Sequence, residues 1–199
     1  MNTQPSSNAT TSKCTALPDS ALLERSARLV TRAAAALAAF CEHSEHNEPS
    51  NVHDVALAAD SLRSVANQLA HATGYTLHDL YADRIRSIEE ASLLSRATVD
   101  GNHSTIGADA VAKSSTWDDV QLAQIIHDRQ FHPDVFGLSK IDQLRHYAFH
   151  VTKLAGLLLD AIDLDQWPAF ADERLADLAI FGVKIATVCN ERLPAAHVG

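Results

Sequence analysis

The chain has 199 residues, 46% of them hydrophobic, and a formal net charge of -9. This length suits one compact domain or two small repeats that share a core. The acidic balance disfavours general binding to nucleic-acid phosphates, whereas free nucleotides remain allowed. The apolar run from Ala33 to Phe40 is far shorter than the about 20 residues that cross a bilayer. We therefore expect neither a nucleic-acid partner nor a membrane partner.

Cysteine usage and the N-terminal composition bear on the compartment. Cys14, Cys41 and Cys189 show no CxxC spacing, and an odd set without a disulfide framework favours the reducing cytoplasm. Residues 1–17 are predicted to be a disordered tail. Their first part is rich in Ser, Thr and Asn and lacks the apolar segment of a signal peptide.

Composition and periodicity predict an all-α fold. Glycine (7) and proline (6) are scarce, which favours helices, and no alternating strand pattern of useful length occurs. In the N-terminal half, apolar periodicity predicts helices at about residues 20–41, 52–73 and 76–98. Pro18-Asp19-Ser20 supplies a start and a cap for the first helix, and Gly74 supplies a left-handed cap after the second.

The C-terminal half begins after residues 99–115, which small polar residues and glycines indicate as a linker. Thr116 is placed to cap the next helix, and Pro133 and Gly137 are expected to end it and shape a loop. Pro168 is expected to break the chain again. Three helices are thus predicted, at about residues 117–131, 140–162 (opening at Ser139 or Lys140) and 172–191.

A short internal echo indicates two repeats. Residues 30–34 read VTRAA, and residues 151–155 read VTKLA, 121 positions later (151 minus 30). Two helical hairpins that face each other would form a four-helix bundle with pseudo-twofold symmetry; the alternative is a chance match between two Ala/Leu-rich helices. The predicted units are a tail (1–17), an N-terminal helical repeat (18–98), a linker (99–115), a C-terminal helical repeat (116–192) and a second tail (193–199).

The last two predicted helices each carry a second face beside their core stripe. On residues 140–162 this face combines polar and large apolar groups, which are His146, Phe149, His150, Lys153, Leu157 and Asp160. On residues 172–191 it combines charged and apolar groups, which are Glu173, Asp177, Ile180, Phe181, Lys184 and Val188. A fully solvated face seldom needs such apolar residues, so we expect both faces to be covered.

Pairing of these two helices would bring imidazoles close to carboxylates. The sequence therefore predicts a ligand site built from His146, His150, Lys153, Glu173 and Asp177. Within it, His146, His150 and Asp177 are the predicted metal ligands, and a divalent metal is the cofactor class that they admit. The alternative is structural, because histidine pairs also occur on surfaces and acids near a helix N-terminus are favoured by its dipole.

Residues 150–155 (HVTKLA), a short connection and residues 173–179 (ERLADLA) together resemble the two core helices of the MazG-like, all-α nucleoside triphosphate pyrophosphohydrolases. In that family a Glu-Glu-x-x-Glu helix precedes a Glu-x-x-Asp helix, and these acids hold magnesium on the triphosphate. The resemblance covers about residues 139–190. It implies a helical hairpin and a nucleotide or similar ligand.

Most acidic positions of that family are changed here. Phe149 and His150 stand at the first acidic pair, Lys153 at the third acid and Arg174 at the first acid of the second motif, while Asp177 fits its position. Magnesium requires oxygen ligands, which His and Lys do not supply. The resemblance therefore implies a MazG-like fold with a degenerate magnesium site, in which hydrolysis is not expected.

A second region rich in charged residues and histidines lies at residues 117–134. His127-Asp128 resembles the metal-binding pair of the HD phosphohydrolases, although the family's other ligands have no assignable match. The alternative is that Asp128 is exposed and that His132-Pro133-Asp134 forms a turn. That loop would also be able to pack over the His146 face as the wall of a pocket.

Two classes of function follow. The first is a site for a nucleotide or another phosphorylated small molecule. The second is a non-catalytic interaction or regulatory bundle that binds a partner, or a second copy as a homodimer, through its second apolar faces, at Phe149, Leu157, Ile180 and Phe181.

Overall fold

The computed structural model of the chain describes residues 17–96 and 106–189. Within these two ranges the chain forms helices and no β-strand, so the predicted all-α class is confirmed. The helices are α1 (Ser20–Glu45), α2 (Val52–Thr73), α3 (Leu77–Arg96), α4 (Ile106–Lys113), α5 (Trp117–Phe131), α6 (Pro133–Phe136), α7 (Lys140–Asp163) and α8 (Trp167–Val188).

Four long helices form a bundle. Helix α1 packs against α2 and α7, and α8 packs against the same two helices from the other corner. Each of the four contributes fully buried leucines to the interior, among them Leu37, Leu62, Leu158 and Leu178. The hairpins α1–α2 and α7–α8 therefore face each other around a common core. The internal duplication and its pseudo-twofold symmetry stay predictions.

The remaining helices lie mainly against the α8 side of the α7–α8 hairpin. Helices α3 and α5 both contact α8, α4 lies against α3 and α5, and α6 joins α5 to α7. The layer bounds a cavity next to the polar side of both helices, but the expectation that the second face of α7 is covered is wrong at Phe149, which is 72% exposed.

Local sequence signals set most helix ends. Asp19 accepts a hydrogen bond from the backbone N–H of Leu22 at 2.7 Å and caps α1. Thr116 caps α5, and Ser139 caps α7, each by accepting from a backbone N–H three residues later. Gly74 has φ of 76° after α2, the left-handed conformation that glycine adopts without strain.

Several boundaries differ from the sequence prediction. Helix α1 continues to Glu45, past its predicted end near residue 41. Helix α4 lies inside the predicted linker, where a short apolar segment packs Val111 into the core. Helix α6 occupies the predicted loop at Pro133. Helix α8 begins at Trp167 and not near residue 172, because Pro168 stands in its first turn, where a missing N–H costs nothing.

Some predicted features fall beyond the described ranges. These are residues 1–16 of the predicted N-terminal tail, residues 99–105 of the predicted linker, the predicted end of the last helix and the tail at 193–199. Among the helices that the structure describes, each is too short or too polar to cross a membrane.

Candidate functional site

A cavity of about 360 Å³ lies between the α7–α8 hairpin and the layer formed by α3, α5 and α6. Its wall combines charged groups, imidazoles and apolar side chains. The charged and imidazole groups are Arg84, Asp128, His132, His146, His150, Lys153, Arg174, Asp177 and Lys184. A concave site with apolar walls and a few convergent polar groups is the usual form of a small-molecule site.

The cavity is positively charged although the chain is acidic. Four cationic side chains (two Arg, two Lys) and two carboxylates line it, which leaves a formal excess of two positive charges with the histidines neutral. The whole chain has a formal net charge of -9. Such a local reversal of sign attracts anions to this cavity and repels them from the rest of the surface.

Both carboxylates of the cavity are held by fixed cations. Arg84 donates to Asp177 from Nε to Oδ1 at 2.7 Å and from Nη2 to Oδ2 at 3.2 Å, and Arg174 Nη1 lies 3.5 Å from the same carboxylate. Lys184 Nζ lies 2.8 Å from Asp128 Oδ1. Arg174 Nη2 also lies 3.8 Å from Oε2 of Glu173, outside the cavity wall.

Lys153 differs from the other cations of the cavity. Its side chain is exposed on α7 and borders the cavity, and no carboxylate in the described part of the chain forms an ion pair with it. The Lys153 ammonium is therefore available to a ligand without first breaking a contact within the protein.

Two imidazoles form an aromatic group on the α7 side of the cavity. The ring centroids of His146 and His150 lie 4.7 Å apart, and His150 stacks on Phe181 at 4.7 Å with an angle of 19° between the ring planes. Burial, followed by the charge of Lys184, lowers the pKa of His146. Burial, followed by the charge of His146 and Lys184, lowers the pKa of His150. Both rings are therefore mainly neutral near pH 7 in the folded protein.

A buried polar chain lies behind the cavity wall. Tyr81 Oη donates to Gln124 Oε1 at 2.6 Å, and Gln124 Nε2 donates to Asp128 Oδ1 at 2.8 Å. Burial, followed by the charge of Asp128, raises the pKa of Tyr81 well above its usual value. Tyr81 thus stays a hydrogen-bond donor, and α3 is tied to α5 at the cavity.

Glu89 and His127 form a second buried polar pair next to that chain. His127 Nδ1 lies 2.9 Å from Glu89 Oε1, and Glu89 Oε2 accepts from the backbone N–H of Ala108 at 3.2 Å. The side chains of Glu89 and His127 are 0% and 1% exposed. Burial lowers the pKa of His127, although the hydrogen bond to Glu89 opposes that shift. In His132, burial and then the charge of Lys184 lower the pKa to about 4.

The structure brings most of the predicted site residues together. His146, His150, Lys153 and Asp177 all line the cavity. Glu173 does not; its side chain is 67% exposed, and its nearest ion-pair atom is Arg174 Nη2 at 3.8 Å. Glu173 precedes Asp177 by four positions and so lies on the same side of α8 one turn earlier, where the cavity wall does not extend.

The predicted metal set is not the one whose ligand atoms converge. Among the described residues, three metal-capable side chains converge at His127, Asp128 and His132. His146, His150 and Asp177 line one cavity but form no such group in this part of the chain. The arginines on Asp177 already occupy its carboxylate.

Several site residues were not predicted from the sequence. Arg84 carries no local signal, because its partner Asp177 is 93 positions away. Glu89 does carry one: it continues the fully buried series Tyr81 and Ile85 at a spacing of four, so a carboxylate stands where a core residue is expected. The predicted role of the 132–134 loop as a pocket wall is confirmed at His132.

No protein-family model, no curated protein and no solved structure matches this chain.

Proposed function

We propose that the cavity binds a nucleotide or another small phosphorylated molecule. The observation that carries this proposal is the excess of fixed positive charge in the cavity, in a chain that is acidic as a whole. Arginine and lysine bind phosphate oxygens through charge-assisted hydrogen bonds. A nucleobase or another ring of the ligand would pack against the apolar wall at Leu157, Ile180 and Phe181.

The proposal also accounts for the altered MazG-like motif. His150, Lys153, Arg174 and Asp177, which stand at motif positions of that family, all border the cavity. In the family, acids hold magnesium and the metal meets the triphosphate. Here lysine and arginine stand at acidic positions, so a phosphate meets side-chain cations directly and needs no magnesium.

Hydrolysis is not part of this proposal. Magnesium-assisted attack on a triphosphate requires carboxylate oxygens that are free to hold the metal. Asp177, the one acid left at a motif position, has both carboxylate oxygens bonded to Arg84 and also lies close to Arg174. We therefore propose a binding or regulatory protein of the cytoplasm, the compartment that its cysteine pattern favours.

An interaction surface is the alternative, and one observation favours it. Phe149 is 72% exposed on α7, and an exposed aromatic ring suits a partner protein or a second copy. The other residues of that surface do not join it, because Leu157, Ile180 and Phe181 line the cavity. A single exposed ring is common on monomers, so small-molecule binding is the better supported function.

The test compares two lysines of the same helix. Lys153 borders the cavity, whereas Lys140 is exposed at the start of α7 and does not line it. Isothermal titration of a nucleoside triphosphate, a nucleoside diphosphate and inorganic phosphate, all in EDTA, should give binding to the full chain. Lys153→Gln should weaken it about tenfold, the loss of one charge-assisted contact, and Lys140→Gln should leave it unchanged.

Two results would contradict the proposal. One is the absence of binding by all three phosphate probes, and the other is equal weakening by the two lysine variants. If Phe149→Ser instead converts a dimer to a monomer in sedimentation experiments while no phosphate probe binds, the interaction alternative replaces the proposed function.

A further inference from the structure

Three metal-capable side chains meet at the back wall of the cavity. Ligand atoms of His127, Asp128 and His132 all lie within 4.8 Å of one another. His127 and Asp128 are adjacent near the end of α5, and His132 follows as the residue that ends this helix. Asp128 and His132 border the cavity, while His127 lies behind them. Two imidazoles and one carboxylate are a donor set typical of zinc and of similar divalent transition metals.

The orientation of His127 is the independent observation that points to a ligand. Its Nδ1 is bonded to Glu89, which is itself held by the N–H of Ala108. Its Nε2 is buried and has no hydrogen-bond partner in the part of the chain that the structure describes. A buried polar atom without a hydrogen-bond partner destabilises the folded state. A metal ion bound at Nε2 would remove that destabilisation.

Glu89 plays the part that carboxylates play behind metal-bound histidines. A carboxylate that accepts from Nδ1–H fixes the ring orientation and keeps the Nε2 lone pair available for the metal. The backbone at Gly107 lies close to the Glu89 carboxylate and restricts its position. A Cβ at Gly107 would collide with the Glu89 carboxylate and would lie 2.8 Å from His127 Cβ. Glycine at residue 107 therefore gives the pair room to form.

Asp128 has one carboxylate oxygen to offer. The contacts from Gln124 Nε2 and Lys184 Nζ, both 2.8 Å, fall on Oδ1. That leaves Oδ2 for a cation. His132 lies close enough to supply a third ligand, because the centroid of its ring is 5.3 Å from that of the His127 ring, with 63° between the ring planes.

We infer that His127 Nε2, Asp128 Oδ2 and a ring nitrogen of His132 bind a divalent transition metal of the zinc class. Three protein ligands leave a coordination position open, and it would face the cavity that Asp128 and His132 border. The metal site does not rest on the proposed phosphate binding.

Lys184 is the competitor for this site. Its ammonium neutralises Asp128 and would repel a metal dication at the same carboxylate. The ammonium also lies 5.9 Å from the ring centroid of Tyr147 and 5.8 Å from that of Phe181. In its present position the ammonium is thus already within cation–π distance of both rings, which can still stabilise it when a metal takes Asp128.

The test titrates the full chain with zinc, and separately with cobalt(II) followed by visible absorption. We expect one equivalent of metal to bind tightly. The cobalt(II) complex should show visible absorption bands with the intensity typical of tetrahedral coordination. Asp128→Asn and His132→Gln should each weaken zinc at least tenfold, and Glu89→Gln should weaken it about 10- to 100-fold. Lys184→Met should tighten zinc at least fivefold, an effect that a purely structural ion pair does not produce.

A double variant, His146→Ala with His150→Ala, is the matched control, since it removes two cavity imidazoles outside the site. It should retain the tight equivalent of zinc. The proposal is overturned if this control loses the binding, if no tight equivalent exists, or if Lys184→Met destabilises the fold without tightening zinc. Because His132 is partly exposed, His132→Gln remains a folded test even where Glu89→Gln does not fold.

Discussion

Arg84 of α3 holds Asp177 of α8 through two hydrogen bonds, at 2.7 and 3.2 Å. The Asp177 side chain is 11% exposed, and that of Arg84 is 29% exposed. A bidentate pair at this depth fixes both side chains and is stronger than a surface ion pair. Because the acid of the altered motif is bound to an arginine, the direction in which a substitution of Asp177 changes phosphate affinity tests the proposed function.

Asp177→Asn should tighten binding of inorganic phosphate or a nucleotide by about three- to tenfold. The change removes a negative charge from the cavity and releases two arginines toward the ligand. It should also lower the free energy of unfolding by about 1–3 kcal/mol, because Arg84 loses a charged partner. Titration calorimetry and urea denaturation measure the two effects.

Asp160→Asn is the matched control for this prediction. Asp160 is exposed on α7 outside the cavity, so the same change of charge should alter affinity less than twofold by long-range effects. Weaker phosphate binding by Asp177→Asn would show that the carboxylate holds a metal or the ligand itself, contrary to the proposed function.

Acidification should destabilise the protein from near pH 6.5 downward. The pKa values of His146 and His150 are lowered in the folded state, whereas unfolded histidines titrate near about 6.5. As pH falls through that value the unfolded chain binds protons first, so the free energy of unfolding decreases. The charged and titratable groups around this pair are Arg84, Asp128, His132, Lys153, Arg174, Asp177 and Lys184.

Urea denaturation at pH 7.5, 6.5 and 5.5 measures this loss. These values lie above the range in which ordinary carboxyl groups titrate. The double variant His146→Gln, His150→Gln should lose less stability over this range than the native chain. An equal loss in both would assign the pH dependence to other groups.

The fold was accessible from sequence where local chemistry decides it. Helix α2 has the predicted bounds of 52–73, and α5 has the predicted bounds of 117–131, because apolar periodicity and capping residues act over a few positions. The predicted start of α8 near residue 172 is wrong, because Pro168 does not break the chain but stands in the first helical turn, where proline is favoured.

The site was accessible in part. Periodicity placed His146, His150 and Lys153 on one face of a helix and Asp177 on a face of the next, and the cavity joins these faces. It gave no information on what covers them. Arg84 reaches the site from α3, and Asp128 from α5, through tertiary packing between distant segments. The spacing of Glu173 to Asp177 predicts one shared face, but Glu173 lies a turn earlier on α8, in solvent and outside the cavity wall.

Tyr81→Phe should lower the free energy of unfolding by about 1–3 kcal/mol. The hydroxyl group donates to Gln124 Oε1 at 2.6 Å, and both side chains are 1% exposed, so the amide oxygen would be left unsatisfied. Tyr75→Phe is the control, because the Tyr75 hydroxyl group bonds Asp172 at an exposed position; it should cost less than half as much. If urea denaturation shows the same loss in the free energy of unfolding for both variants, the buried hydrogen-bond chain does not stabilise the fold as predicted.

Two helical glycines should respond to alanine with opposite signs. At Gly182 a Cβ would lie 2.6 Å from Arg63 Cγ and 2.9 Å from the backbone oxygen of Ala59, so α8 approaches α2 too closely for a side chain. Arginine is flexible at that point, but the backbone of α2 is not. Gly182→Ala should therefore destabilise the bundle by about 1–3 kcal/mol.

At Gly156, in the exposed middle of α7, a Cβ would meet nothing within 4 Å. Gly156→Ala should stabilise the protein by about 0.5–1 kcal/mol, because alanine is the better helix former and the unfolded chain loses freedom. Urea denaturation of both variants measures the difference. Stabilisation by Gly182→Ala would mean that α2 and α8 lie farther apart than in this structure. Because α8 carries Asp177 and Lys184, the geometry of the cavity would then differ as well.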